Sequence, residues 1–274
     1  MDKRTNSKDL FRRMVSAITI DESAGEKESI VYLVLHSLFG VRREHIMAGK
    51  DLGYDEGELE QIVGRINNNE PIQYILNEAE FYGRLFYVND AVLIPRPETE
   101  LLVREVVNYA RNKPVRILDV GTGSGCIAVT LACELPEATI IATDISNAAI
   151  DVAYKNSLTL NTFIDFVVND VLTEDLPESD IIVSNPPYIA RSEMNSMHKN
   201  VIDHEPHVAL FVDDKDPLIF YEQIAARSKD AKAVFLEINE RFGNDVRSIF
   251  DVRGFNTEII KDIDNKDRII KATK

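Results

Sequence analysis

The feature that most constrains the fold is a strand, a glycine-rich turn and a helix that follow one another over residues 115–132. The apolar run 115–120 is interrupted by glycines at 121, 123 and 125 before a second apolar stretch begins. Glycine lets the chain turn tightly and lets a ligand approach the backbone, while the first turn of a helix offers unpaired N–H groups. This arrangement indicates an α/β fold with a site for a nucleotide-like cofactor.

Two common nucleotide sites are disfavoured by the spacing of these glycines. The nicotinamide fingerprint needs a glycine three residues after Gly123, and this chain has Cys126 there. An ATP-binding loop needs Gly-Lys-Ser/Thr, which does not follow the turn. The pattern G-x-G-x-G therefore favours a cofactor other than a dinucleotide or ATP.

Acidic residues follow the next two apolar runs. The run 139–143 ends in Asp144, and the run 163–168 is followed by Asn169 and Asp170. Ligands of open α/β sheets bind outside the carboxyl ends of the strands, where an acid about 20 residues beyond the glycines accepts hydrogen bonds from a ribose. We expect Asp144 to hold the ribose and Asp170 to meet an adenine amino group. Either acid alone is also typical of a helix cap or a turn.

A fourth apolar run, Asp180–Ser184, ends in Asn185-Pro186-Pro187-Tyr188. Two prolines remove two backbone donors and stop the strand, so Asn185 is expected at its carboxyl end. The side-chain oxygen of Asn185 and the carbonyl of Pro186 then form a pair of acceptors that suits a planar NH2 group. An ordinary loop after a proline-terminated strand is the alternative interpretation of this motif alone.

Together these motifs resemble the S-adenosylmethionine-dependent amino-methyltransferases of the Rossmann-like class. Further segments resemble one branch of that class, the HemK/PrmC-type glutamine methyltransferases of peptide-chain release factors. The resemblance extends from about Glu70 to the carboxyl terminus. Its segments are Pro71–Ile75, Glu80–Gly83, Ile94–Glu100, Glu205–Leu210 and Asn265–Arg268.

The resemblance implies a fold, a reaction and a set of residues. The fold is an α/β class I methyltransferase with a seven-stranded, mainly parallel sheet. The reaction transfers a methyl group from S-adenosylmethionine to the side-chain N5 of the glutamine in the Gly-Gly-Gln motif of class I release factors. The implied cofactor-binding residues are Asp119, Gly121, Thr122, Gly123, Ser124, Gly125, Asp144, Asp170, Val171 and Asn185. The implied catalytic residues are Asn185, Pro186, Pro187 and Tyr188, which also bind the substrate together with Phe81.

Periodicity divides the chain into three parts. Residues 1–78 have helical periodicity and, by resemblance, form a small acceptor-docking domain. Residues 79–93 alternate, carry four aromatic residues and predict a linking β-hairpin. Residues 94–274 form the methyltransferase domain, which begins with a helix capped by Glu98 or Thr99 and ends in a hairpin over 257–273. Between them, strands alternate with helices, and this alternation predicts a mainly parallel sheet covered on both faces.

Composition limits the class of partner. The net charge of −15 argues against a partner bound through phosphates, because such affinity comes from lysine and arginine. A protein acceptor therefore fits better than nucleic acid. The first 30 residues are mixed in charge and no long apolar stretch occurs, so we expect a soluble cytoplasmic protein without membrane contact.

Neither the cysteines nor the histidines indicate a metal site. Cys126 and Cys133 lie among small apolar residues of one helix, as buried free thiols do. The sequence His204-Glu205-Pro206-His207 contains a proline that disrupts the helix on which paired histidine ligands usually lie.

Two other functions remain open at this point. A nucleic-acid amino-methyltransferase acting on adenine or guanine would use the same acceptors for a flipped base. It predicts a basic surface or a target-reading domain, and neither is visible in the sequence. A binding module that has lost catalysis would be expected to have lost the glycines, Asp144 or Asn185, and all of them are present.

Overall fold

The computed structural model describes residues 2–274, and the chain divides into two compact units. The first unit comprises the chain up to Asn77 together with His198–His204. The second comprises Glu78–Met197 and Glu205–Lys274. No helix within the described residues combines the length and the apolar character needed to cross a membrane.

The first unit is mainly helical, and its helices pack around Leu10, Val34, Leu35 and Ile62, all of which are buried. It also contains an antiparallel strand pair, β1 with β2, that the helical periodicity did not predict. The elements up to residue 77 are β1 (Asp2–Asn6), α1 (Ser7–Ala17), α2 (Ala24–Phe39), α3 (Arg43–Ala48), β2 (Asp51–Asp55), α4 (Glu56–Asn67) and α5 (Ile72–Leu76).

The second unit alternates strands and helices, as the sequence predicts. Two short 3₁₀ helices lie over Arg191–Ser196 and Glu240–Phe242. The remaining elements, of which α9 belongs to the first unit, are β3 (Ala79–Phe81), β4 (Arg84–Phe86), α6 (Thr99–Ala110), β5 (Arg116–Val120), α7 (Cys126–Glu134), β6 (Thr139–Asp144), α8 (Asn147–Thr159), β7 (Ile164–Val168), β8 (Ile181–Ser184), β9 (Ile189–Ala190), α9 (Lys199–His204), α10 (His207–Leu210), β10 (Phe211–Val212), α11 (Ile219–Arg227), β11 (Ala233–Glu237), α12 (Gly243–Asp251), β12 (Asn256–Lys261) and β13 (Asp267–Thr273).

A seven-stranded sheet in the order β12-β13-β11-β8-β5-β6-β7 forms the centre of this unit. The five strands from β11 to β7 are parallel, and β13 pairs antiparallel with both β11 and β12. Every residue of β8 and β11 is buried, as expected for strands covered on both faces. The predicted sheet and its terminal hairpin are confirmed. The carboxyl ends of β5, β6 and β8 meet at one edge of the sheet.

The hairpin at the start of this unit is shorter than the predicted 79–93 segment. Strands β3 and β4 are joined by Tyr82 and Gly83, whose φ angles of 51° and 70° fit a tight two-residue turn. Beyond the hairpin, the amide of Asn156 donates to the carbonyls of Tyr87 (2.9 Å) and Ser124 (2.8 Å). This amide therefore fastens the segment after the hairpin to the glycine-rich turn.

The start of α6 differs from its prediction. The N-cap residue Glu98 makes no side-chain capping bond. Thr99 is already inside the helix, and its hydroxyl donates to Glu237 at 2.7 Å. Glu98 is thus the N-cap residue, one of the two that the sequence predicts, but it caps the helix without a side-chain bond. The Thr99 hydroxyl has a buried carboxylate as its partner instead.

Candidate active site

The glycine-rich turn forms one wall of a cavity of about 190 Å³ in the second unit. Gly121 and Gly123 line this cavity with φ angles of +72° and +54°, and no atom lies within 4 Å of where a Cβ would stand on either residue. The amides of Gly121 and Thr122 both donate to the carbonyl of Thr143 at 2.9 Å. The turn is thus fixed against β6, and its bare backbone leaves room for a ligand in close contact.

Gly125 has another role. A Cβ on this residue would lie 2.9 Å from the Cβ of Ala153, and its φ is +78°. The missing side chain lets α7 pack closely against α8, and Gly125 is absent from the described residues that line the cavity. The structure therefore gives Gly125 a packing role, and its contact with a cofactor stays a prediction.

We expect Gly125→Ala to lower the free energy of unfolding by about 2–5 kcal/mol, since it adds left-handed strain to overpacking against Ala153. Gly254→Ala is the matched control, because Gly254 has a φ of +80° but no atom within 4 Å of the added Cβ. The control should lose only the strain, about 1–2 kcal/mol. Urea denaturation measures both variants, and equal losses would contradict the packing role.

Asp144 ends β6 at the cavity. Its Oδ2 accepts a hydrogen bond from the amide of Gly123 and its Oδ1 one from the amide of Ser146, both at 2.9 Å. Burial raises the pKa of Asp144, and these backbone hydrogen bonds oppose the rise. A carboxylate has about four lone-pair sites, so Asp144 is held in place and can still accept bonds from a diol.

Asn169 and Asp170 both line the cavity but differ in the acceptors they offer. The carboxylate of Asp170 accepts from the amide of Leu172 and the hydroxyl of Thr173, both at 2.9 Å, and so stabilises its own turn. Asn169 Oδ1 is buried and has no hydrogen-bond partner among the described residues, while its Nδ2 donates to the carbonyl of Asp175 at 3.0 Å. The sequence predicts Asp170 as the acceptor for an adenine amino group. In the structure, Asn169 Oδ1 is the neighbouring acceptor atom that has no hydrogen-bond partner among the described residues.

The rest of the cavity is apolar, and several of its residues lie on loops that the motifs did not identify. Val171 was expected there and lines the cavity. The other lining residues are Ala91, Val92, Leu93, Val120, Ile145, Ser146, Ala149, Leu172, Ser184, Val208, Ala209, Phe220 and Ile224. These surfaces suit a flat base and an aliphatic chain.

Asn185, Pro186 and Pro187 line the same cavity, as the sequence predicts. The Nδ2 of Asn185 donates to Oγ1 of Thr99 at 3.1 Å. Neither Asn185 Oδ1 nor the Pro186 carbonyl accepts a hydrogen bond from the described residues. The two expected acceptors are therefore both available beside the cavity.

The two aromatic residues that the resemblance implies for substrate binding, Phe81 and Tyr188, are not among the described residues that line the cavity. Phe81 is fully buried in the core, edge-on to Phe86 with 6.0 Å between ring centroids. Tyr188 is half-buried against the second core cluster, and its hydroxyl donates to Oε1 of Glu237 at 3.2 Å. Phe81, with no exposed surface, has a packing role in the core, and the substrate contact of Tyr188 stays a prediction.

The glycine-rich turn is supported by three buried polar residues, Asp119, Thr122 and Ser124. All three are buried and absent from the described cavity lining, and the Thr122 hydroxyl donates to Asp119 Oδ2 at 2.7 Å. Burial raises the pKa of Asp119 to about 7. These residues therefore shape the glycine-rich turn, and their direct contact with a cofactor stays a prediction.

Two loops that border the cavity are joined by a buried carboxylate. Glu205 accepts from Arg96 at 2.6 Å through Oε1 and from the amide of Ile94 at 3.2 Å through Oε2. The side chain of Glu205 is 1% exposed. Both residues belong to segments that carry the family resemblance, but their pairing was not predicted.

Within residues 2–274, no three histidine, cysteine, aspartate or glutamate residues are grouped so as to hold a metal ion. Cys126 is buried and Cys133 half-buried, and both are free thiols. Burial raises the pKa of the Cys126 thiol to about 12.

The cavity at the strand ends fits S-adenosylmethionine. It combines the glycine backbone of the turn, the carboxylate of Asp144 at the end of β6, the unsatisfied amide oxygen of Asn169 and apolar walls. Residues 97–209 match the family model of the methyltransferase small domain. A methyltransferase structure from Pyrococcus furiosus is similar in fold, with a TM-score of 0.51 and 16% identity over 77% of this chain and 96% of that one. The protein is an S-adenosylmethionine-dependent methyltransferase of the class I fold.

Whole-chain relatives define the branch. A release factor glutamine methyltransferase of Flavobacterium psychrophilum is 42% identical over 90% of this chain and 92% of its own length. One from Bacillus subtilis is 37% identical over 97% of this chain and 98% of its own length. The chain belongs to the release factor glutamine methyltransferase family.

Proposed function

We propose that this protein methylates the side-chain N5 of the glutamine in the Gly-Gly-Gln motif of class I peptide chain release factors. The observation that carries the proposal is the hydrogen bonding of the Asn185 side chain. Its amide nitrogen is bound to Thr99, while its oxygen and the Pro186 carbonyl are free beside a cavity that fits the methyl donor. Two neighbouring acceptors of this kind suit the NH2 group of a primary amide.

The cofactor site follows from the same residues. S-adenosylmethionine supplies an electrophilic methyl group. The backbone of Gly121 and Gly123 would face its methionine part, and Asp144 would accept bonds from the ribose hydroxyls. Asn169 and Asp170, which both line the cavity, would lie beside the adenine amino group, and Val171 would lie against the ring.

Positioning is the main chemical task of these residues. The lone pair of an amide nitrogen is delocalised into its carbonyl, so the nitrogen is a poor nucleophile. If Asn185 Oδ1 and the Pro186 carbonyl each accept one N–H, the nitrogen is held in line with the methyl group. Both bonds strengthen as positive charge develops on the nitrogen, which lowers the barrier. The product nitrogen then loses its extra proton readily.

Asp144→Ala should weaken cofactor binding by roughly tenfold to more than a hundredfold, because a hydrogen bond to a charged group contributes about 1.5–3 kcal/mol. Titration calorimetry measures the change. Asp151→Ala is the control, since Asp151 is exposed on α8 and does not line the cavity. Unchanged affinity in a folded Asp144→Ala protein would remove the ribose assignment.

Parallel assays with tritium-labelled cofactor test the acceptor class. The labelled methyl group should enter a class I release factor, and peptide mass analysis should locate it on the glutamine of Gly-Gly-Gln. Duplex DNA and ribosomal RNA serve as competing acceptors. Label in nucleic acid but not in the release factor would replace the proposal with an adenine or guanine amino-methyltransferase.

We also propose that the first unit docks the protein acceptor in the cytoplasm, where release factors act. All residues that line the cavity belong to the second unit. The first unit is thus available for recognition, and the acidity of the whole chain suits a protein better than a polyphosphate.

A further inference from the structure

A buried hydrogen-bond chain lies behind Asn185. Asn185 Nδ2 donates to Thr99 Oγ1 at 3.1 Å, and the Thr99 hydroxyl donates to Glu237 Oε2 at 2.7 Å. The other carboxylate oxygen of Glu237 accepts from the Tyr188 hydroxyl at 3.2 Å. Thr99 and Glu237 are each 2% exposed. These hydrogen bonds join the start of α6, the end of β11 and the segment after β8.

The direction of these bonds is fixed by the carboxylate. An ionised glutamate only accepts, so the single hydroxyl proton of Thr99 points at Glu237. Thr99 Oγ1 then has only lone pairs to offer Asn185, and its partner must be the NH2 end of the amide. With the amide reversed, two oxygens would face each other with no proton between them.

The surroundings of Glu237 have opposing effects on its pKa. Burial raises the pKa of Glu237, whereas the hydrogen bond from Thr99, the positive charge of Arg268 and the hydrogen bond from Tyr188 oppose the rise. The hydroxyl oxygens of Thr99 and Tyr188 lie 2.7 and 3.2 Å from the carboxylate oxygens, and hydrogen bonds of this kind favour the ionised form.

We propose that Glu237 and Thr99 are positioning residues that fix the orientation of the Asn185 amide, so that its oxygen faces the amino group of the acceptor. The inference rests on the proposed function, in which Asn185 accepts a hydrogen bond from an NH2. A reversed Asn185 would present NH2 to NH2 and could not hold the nucleophile. The sequence motifs predict capping for Thr99 and no role for Glu237.

Two substitutions separate orientation from packing. Glu237→Gln keeps the size but supplies an NH2 that can donate to Thr99, which frees the Thr99 hydroxyl to bond a reversed Asn185. Thr99→Val keeps the shape and removes the hydroxyl. Each should lower kcat about tenfold or more, the scale of one lost hydrogen bond, with cofactor Kd within about twofold. Thr99→Ser keeps the hydroxyl and should retain about half or more of kcat.

A double-mutant cycle with Asn185→Ala provides the decisive measurement. For each variant, kcat and KM are measured with a Gly-Gly-Gln peptide, and the Kd of the cofactor is measured by calorimetry. If Glu237 acts through Asn185, adding Glu237→Gln to Asn185→Ala should not lower kcat further. Multiplying effects, or full kcat in both single variants, would overturn the inference. If Glu237→Gln does not fold, the Val and Ser variants of Thr99 make the same comparison.

The cycle also separates this inference from the proposed function. Should the wild-type protein methylate a nucleic-acid amino group instead, the cycle is run on that acceptor. Glu237 must still act through Asn185 there, because the acceptor group is again an NH2. Failure of the glutamine assignment and failure of the positioning role thus give different results.

Discussion

Asn185→Ala is expected to lower the rate of glutamine methylation by about 10²–10³, the scale seen when one pre-organised polar contact to a transition state is lost. The variant keeps the Pro186 carbonyl but loses the oxygen that holds the second N–H of the acceptor. Because the acceptor is a poor nucleophile, a small loss of alignment is expected to cost much of the rate. Single-turnover methylation of a release factor measures the effect.

The affinity for S-adenosylmethionine should change by no more than a few fold in this variant, since Asp144 and the glycine-rich turn are untouched. Asn195→Ala is a suitable control, because Asn195 is exposed on a 3₁₀ helix and does not line the cavity. A folded Asn185→Ala protein with the wild-type rate would refute the role of this amide.

Deletion of residues 1–77 removes nearly all of the first unit and should spare cofactor binding while strongly lowering turnover on an intact release factor. A few interface residues usually carry most of the binding energy, at about 2–4 kcal/mol each, so losing a docking surface lowers the rate at subsaturating acceptor by about 10²-fold or more. Initial rates at low acceptor concentration measure this loss.

A short Gly-Gly-Gln peptide is the control acceptor for the deletion. It has no surface for docking, so the full-length and shortened proteins should methylate it at similar rates. Calorimetry with the cofactor shows whether the shortened protein is folded. Equal rates of the two proteins on the intact release factor would contradict the docking role.

Much of the fold was readable from the sequence because its strands are continuous apolar runs. Each run from Val115 onward became a strand close to its predicted position, and the terminal hairpin formed β12 and β13. The strand pair β1–β2 was missed. Its second strand, Asp51–Asp55, has only Leu52 and Tyr54 as buried alternating residues, which is too short a signal among helical periodicities.

The candidate site was predictable where a residue sits at the end of a strand. Gly121, Asp144 and Asn185 line one cavity because parallel strands end at one edge of the sheet. The contributions of Val208 and Ala209 come from a segment without periodicity, so tertiary packing alone brings them there.

Thr99 shows a different limit. A threonine at a helix start is equally compatible with a capping bond and with a tertiary bond, and only the position of Glu237 decides between them. An acid at the end of an apolar run was recognised as functional for Asp144, and Glu237 ends the run Ala233–Glu237 in the same way.

The link between Glu205 and Arg96 has a consequence for conformational entropy. It ties the loop that contains Val92 and Leu93 to the loop that leads into α10, the helix of Val208 and Ala209. Ordering these loops is therefore part of the free energy of folding, and binding need not supply it. Affinity for the cofactor and resistance to unfolding are thereby coupled, and a substitution that frees either loop weakens both.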